Sequence, residues 1–149
     1  MRLLCLKMVC ALGVMSSNSA FASFSQCISD TLPAVSYDSA QAIQICSSSH
    51  LSYSTFSACK TDVLPSVGYD SDKANGICAN ADIDYSSFSV CRNDVLPVVG
   101  YDADTTITIC EGLDIKFDNF SACQADVLPA VGYDANKTTA ICSELQEHR

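Results

Sequence analysis

Apolar residues recur along this chain in two short helical stripes separated by a turn, and the pair of stripes returns every 32 residues. Residues 88–110, FSVCRNDVLPVVGYDADTTITIC, show the pattern, and residues 24–46, 56–78 and 120–142 repeat it without insertion or deletion. Eleven positions are identical in all four copies. In the third copy they are Phe88, Ser89, Cys91, Asp94, Leu96, Pro97, Val99, Tyr101, Asp102, Ile109 and Cys110. A fixed period of ~20–50 residues marks a repeat architecture in which each unit is one supersecondary element.

Each unit predicts two helices. In the first, over residues 86–95, Phe88, Cys91 and Val95 recur at i, i+3 and i+7 and share one face, with Ser86 or Ser87 as N-cap. Asp94 falls off that face and is expected in solvent. Pro97 disfavours helical geometry at Leu96, so the helix is expected to stop there. Residues 98–101 form the connection, where Gly68, Gly100 and Gly132 predict a positive φ and Ser36 of the first copy breaks the pattern. Asp102 suits the N-cap of the second helix, whose residues Thr106, Ile109 and Cys110 again share a face. Residues 105–109 (TTITI) have strand propensity, but the aligned KANGI of the second copy does not. Helix is therefore preferred throughout.

Two helices of about ten residues cannot bury their own apolar faces. Stacking successive hairpins gives a continuous core, expected from Phe, Leu, Val, Tyr and Ile. The predicted fold is all-α: four tandem 32-residue αα-hairpins stacked as a short α-solenoid, with units 24–55, 56–87, 88–119 and 120–149 in one repeat domain, residues 23–149.

The first 22 residues stand apart. Arg2 and Lys7 precede the apolar run MVCALGVM, and small residues follow up to Ala20-Phe21-Ala22, the order of a secretory signal peptide cleaved before Ser23. A membrane span needs ~20 apolar residues, and this run is too short. Export predicts a secreted or periplasmic protein, and eight cysteines remain after cleavage: Cys27, Cys46, Cys59, Cys78, Cys91, Cys110, Cys123 and Cys142. An even count in an oxidising compartment predicts disulfides. Pairing within units, 27–46, 59–78, 91–110 and 123–142, leaves no thiol over, whereas pairing between neighbours strands Cys27 and Cys142. The first is expected, since each cysteine lies on its helix's apolar face and the two helices run antiparallel.

Charge and motifs narrow the function. Without Arg2 and Lys7, six basic residues face 17 acids, a net charge of −11. Nucleic acid is an improbable partner for such a chain, and no basic stretch suggests adhesion to an anionic membrane. A basic protein partner suits it better, and a monomer is expected. Asp70-Ser-Asp72 and Asp102-Ala-Asp104 open like a calcium loop, but Ala74 and Ala81 stand where that loop needs oxygen ligands. No zinc or C-x-x-C spacing occurs, so neither metal nor cofactor is expected. Neither His50 nor His148 recurs in the other copies, no nucleophile or phosphate-loop motif is present, and no catalytic residue is assigned. Asn119-Phe-Ser121 and Asn136-Lys-Thr138 are glycosylation sequons, expected to go unused behind a signal of bacterial form. The expectation is a non-enzymatic module that binds a protein or a cell surface. Its specificity is placed on Lys60, Arg92 and Gln124, which align with one another, vary between copies and are expected to face outward. The alternative is a small secreted hydrolase, or an enzyme inhibitor, on the same scaffold.

Overall fold

The computed structural model describes residues 21–147, so the expected signal peptide (but for its last two residues) and His148 lie outside the described residues. The first hairpin is α1 (Phe24–Thr31) and α2 (Ser39–Ser47), and the second α3 (Phe56–Ser66) and α4 (Ser71–Ala79). The third is α5 (Phe88–Val98) and α6 (Ala103–Gly112), and the fourth α7 (Phe120–Ala130) and α8 (Ala135–Glu147). Residues 105–109 are helical despite their β-branched run, because Asp102 caps α6 by accepting the Thr105 N–H. Ser23, Thr55, Ser87 and Asn119 cap the odd-numbered helices in the same way, each accepting the N–H three residues on.

Each odd-numbered helix packs against its hairpin partner and against the odd-numbered helices of adjacent modules, so the four hairpins lie side by side. Phe24, Phe56 and Phe88 are fully buried, as are Val63, Val95 and Val127 and all eight cysteines, in one continuous core. The disulfides are 27–46, 59–78, 91–110 and 123–142, with Cα–Cα distances of 5.8–5.9 Å. Each closes a loop of about 20 residues inside one module and contributes roughly 3 kcal/mol in the chain-entropy account.

The linkers also contribute. Two parallel strands, β1 (Asp84–Tyr85) and β2 (Asp114–Ile115), and the bridges Phe21–Leu51 and Ser52–Asp82 form a narrow ladder up one edge of the stack. Leu51, Ile83 and Ile115 turn inward and are buried, while Asp82, Asp84, Asp114 and Lys116 face solvent. This period-2 alternation is that of a half-buried strand.

Three expectations are corrected. Helices α3, α5 and α7 run through Pro65, Pro97 and Pro129 instead of stopping before them. Proline sits in the last turn, and that turn is closed from beyond it: Tyr69, Tyr101 and Tyr133 donate their N–H to the carbonyls of Leu64, Leu96 and Leu128 at 2.8 Å. Only α1 ends before its proline, with Leu32 as C-cap.

Second, Asp94 does not simply meet solvent. Its carboxylate accepts the Ser57 N–H at 3.1 Å, the Ser57 hydroxyl and the Tyr85 hydroxyl at 2.5 Å, and Tyr85 in turn accepts the Phe56 N–H at 2.7 Å. Asp62 does the same for the module before, accepting Phe24 N–H at 2.8 Å, Ser25 N–H at 3.1 Å and Tyr53 hydroxyl at 2.6 Å. Asp126 takes the N–H groups of Phe88 (2.6 Å) and Ser89 (3.1 Å) and the Ser89 hydroxyl. The first N–H groups of a helix have no partner within it, and each module caps those of its predecessor. This clasp accounts for the repeated Ser and Asp, while the Phe beside the serine is repeated for the core that its ring fills.

Third, the repeated tyrosine is not core. Tyr37, Tyr69, Tyr101 and Tyr133 are 73–74% exposed.

Candidate functional site

The four exposed tyrosines occupy equivalent places because the turn that carries them is built four times. Gly68, Gly100 and Gly132 have φ of 68–74°, and the following tyrosine is also left-handed, at 61–64°. In the first module Ser36 (φ 56°) takes the glycine's place and adopts the same conformation. A left-handed residue bearing a Cβ costs roughly 1–2 kcal/mol, so each tyrosine is held against a local preference. The backbone N–H closes the first helix, and the aspartate that follows opens the second. Asp38, Asp70, Asp102 and Asp134 accept backbone N–H groups through Oδ1 at 2.9–3.1 Å. The Asp70 Oδ2 lies 3.6 Å from Lys73, while in the other three Oδ2 has no hydrogen-bond partner among the described residues.

Every odd-numbered helix starts at the linker ladder and ends at this turn, so the tyrosines line the opposite edge of the stack. Neighbouring packed helices lie ~8–10 Å apart, which sets the spacing of the row. The ring is not needed for the core, the hydroxyl makes no hydrogen bond among the described residues, and the backbone there favours glycine. The side chain nevertheless recurs in all four copies. The sequence held a sign of this: Gly-Tyr-Asp lies between the two helical stripes and off both apolar faces.

Of Lys60, Arg92 and Gln124, expected to face outward together, Lys60 is buried while Arg92 and Gln124 are half-exposed. Lys60 lies on the side of α3 that meets the next module, and Arg92 and Gln124 hold the equivalent places on α5 and α7. Lys60 is 6% exposed, and its ammonium donates to the Val98 carbonyl at the C-terminal end of α5. A cation there meets the negative end of the helix dipole. Burial pulls its pKa down, and Asp72 opposes that. Arg92 is half-buried with its Nε unpartnered among the described residues, and half-buried Gln124 edges a 210 Å³ recess with Ala125, Leu128, Ala135 and Thr138.

The perturbed ionisable groups trace to packing. For Asp62 and Asp94, burial pushes the pKa up, but hydrogen bonds from Ser25 and Tyr53, and from Ser57 and Tyr85, outweigh it and hold both below the usual carboxylate range. Burial and then these aspartates push Tyr53 and Tyr85 well up. Glu111, beside a 280 Å³ recess at the ladder's end, is raised by burial first and by Glu144 second. Among the described residues no three His, Cys, Asp or Glu side chains converge to hold a metal ion, and no helix is long and apolar enough to cross a membrane. Asn119, the first sequon, accepts the Ala122 N–H as the cap of α7, and exposed Asn136 lies in the first turn of α8. Four disulfides suit an oxidising, extracytoplasmic environment. Compared with protein-family models, curated proteins and solved structures, the chain matches none.

Proposed function

We propose that this chain is an exported, non-enzymatic binding module. After removal of the signal peptide, four disulfide-pinned hairpins stack as a short α-solenoid that presents its tyrosine row to a cell-surface polymer of repeating, hydroxyl-rich units. The observation that carries this is the set of four tyrosines, each 73–74% exposed and each in a left-handed conformation. Tyrosine offers a large, rigid contact surface, apolar on the ring and polar at the tip, with little conformational entropy to lose. Beside three of the rings, Asp38, Asp102 and Asp134 keep an Oδ2 free of described partners to accept hydroxyl donors, and beside the fourth Asp70 shares its Oδ2 with Lys73. A net charge of −9 for the whole chain disfavours anionic polymers and leaves neutral glycans as the fitting class. Four weak contacts on one rigid frame act as a multivalent site, so affinity arises from the row rather than from a deep pocket.

Retention of the oxidised protein on immobilised cell-surface polysaccharide tests this. Replacing Tyr69 and Tyr101 with alanine removes two contacts of about 1 kcal/mol each and should weaken retention ~30-fold, while the melting temperature stays near that of the parent. A variant lacking all four tyrosines that is retained as well as the parent would rule the proposal out.

A further inference from the structure

The module boundary is a two-sided joint, and the first and fourth modules each carry one half of it that no described residue meets. On one side stand donors: the N–H groups of a Phe-Ser pair and the serine hydroxyl. On the other stands one aspartate. The joint closes three times: the Phe24 and Ser25 N–H groups meet Asp62, the Phe88 and Ser89 N–H groups meet Asp126, and Ser57 meets Asp94 directly while the Phe56 N–H reaches it through the Tyr85 hydroxyl. Module four repeats the donor half at Phe120-Ser121, and no module among the described residues packs against it. Phe120 is only half-buried where Phe24, Phe56 and Phe88 are completely covered, and Ser121 is exposed. Beside them lies the apolar recess edged by Gln124, which aligns with Lys60. Module one repeats the acceptor half at Asp30, exposed and without a hydrogen bond among the described residues. The carbonyl of Ala34 aligns with that of Val98, which accepts from Lys60.

We propose that the partner of these end faces is a second copy of the chain, joined head to tail. The Phe120 and Ser121 N–H groups and the Ser121 hydroxyl of one copy meet Asp30 of the next, and the Gln124 amide donates to the Ala34 carbonyl as Lys60 does to that of Val98. The two faces differ, so the contact is heterologous and each addition leaves a fresh pair of ends. Repeat arrays stay monomeric when their terminal units carry polar caps, and here the terminal units keep the joint residues of the internal ones. The expected monomer then holds only at low concentration. Like-charged copies repel, so association should strengthen as salt rises.

Sedimentation velocity on the oxidised, signal-free protein tests this from micromolar to millimolar concentration. The mean mass should climb without a plateau at the dimer. Asp30→Arg blocks one end and Ser121→Arg the other. Each variant alone should stay monomeric, and an equimolar mixture should give a dimer and nothing larger, because one intact pair of ends remains. Gln124→Glu replaces the second variant if Ser121→Arg melts early. A parent that stays monomeric throughout, variants that associate as the parent does, or a mixture that forms no dimer would each overturn the proposal.

Discussion

Asp94→Ala and Asp30→Ala alter the same residue at the same helical position of two copies, yet their costs should differ several-fold. Asp94 accepts two hydrogen bonds from Ser57 and one from Tyr85, bridging modules two and three. A hydrogen bond to a charged acceptor contributes ~1.5–3 kcal/mol when well buried, and less at a half-exposed site. Truncating Asp94 also leaves the first N–H groups of α3 without their side-chain acceptor. Together these give a loss of about 2–4 kcal/mol. Asp30 bonds nothing among the described residues, and its truncation should cost no more than ~0.5 kcal/mol, as for other surface substitutions. Urea unfolding of both variants, oxidised and at low micromolar concentration, measures the difference. The Asp94 variant should also separate into two transitions, since coupling between neighbours is what makes a repeat array unfold as one. Equal losses for the two variants would refute the assignment of this aspartate as an intermodule clasp.

Acid should act through the same groups. Asp62 and Asp94 are held below the usual carboxylate pKa, so the unfolded chain takes up their protons first, near pH 4. Their contribution is present above that pH and is lost as pH falls through the lowered folded values, a loss that Asp62→Asn/Asp94→Asn should remove from a melting curve followed against pH. Ser36→Gly should stabilise the first module by about 1 kcal/mol by relieving a left-handed residue with a Cβ, read in the same urea titration. Four bridges at roughly 3 kcal/mol each rival the entire stability of a domain this size, about 5–15 kcal/mol. Dithiothreitol should therefore collapse the helical circular-dichroism signal at room temperature.

The hairpins, their caps and the disulfide pairing were legible because each depends on residues close in the chain. Phe88, Cys91 and Val95 announce a helical face, Asp102 announces a cap, and two cysteines on antiparallel helices meet across a short turn. What the sequence concealed depends on the neighbouring module. Asp94 looks like a surface acid on its own helix, and Lys60 looks like an exposed base. Each reads correctly only when α3 and α5 lie side by side. The linker ladder escaped for a related reason: two residues per strand are too few to show alternation until the strands are paired. Tyr101 reads as core by its apolar ring, yet its place beside a left-handed glycine puts it at a corner of the chain. Pro97 inside α5 looks like a helix stop because the bond that sustains the last turn comes from Tyr101, the residue after the glycine.

No bridge crosses from one module to the next. Under a pulling load each module's covalent loop stays shut, and only the 13-residue stretches between bridges, such as Cys46 to Cys59, can be drawn out. At ~3.5 Å per residue each stretch yields about 45 Å. A protein anchored along a surface and tugged at one end would therefore lengthen in short, recoverable steps, with the tyrosine-bearing corner, which lies inside the closed loop, still tethered at every step.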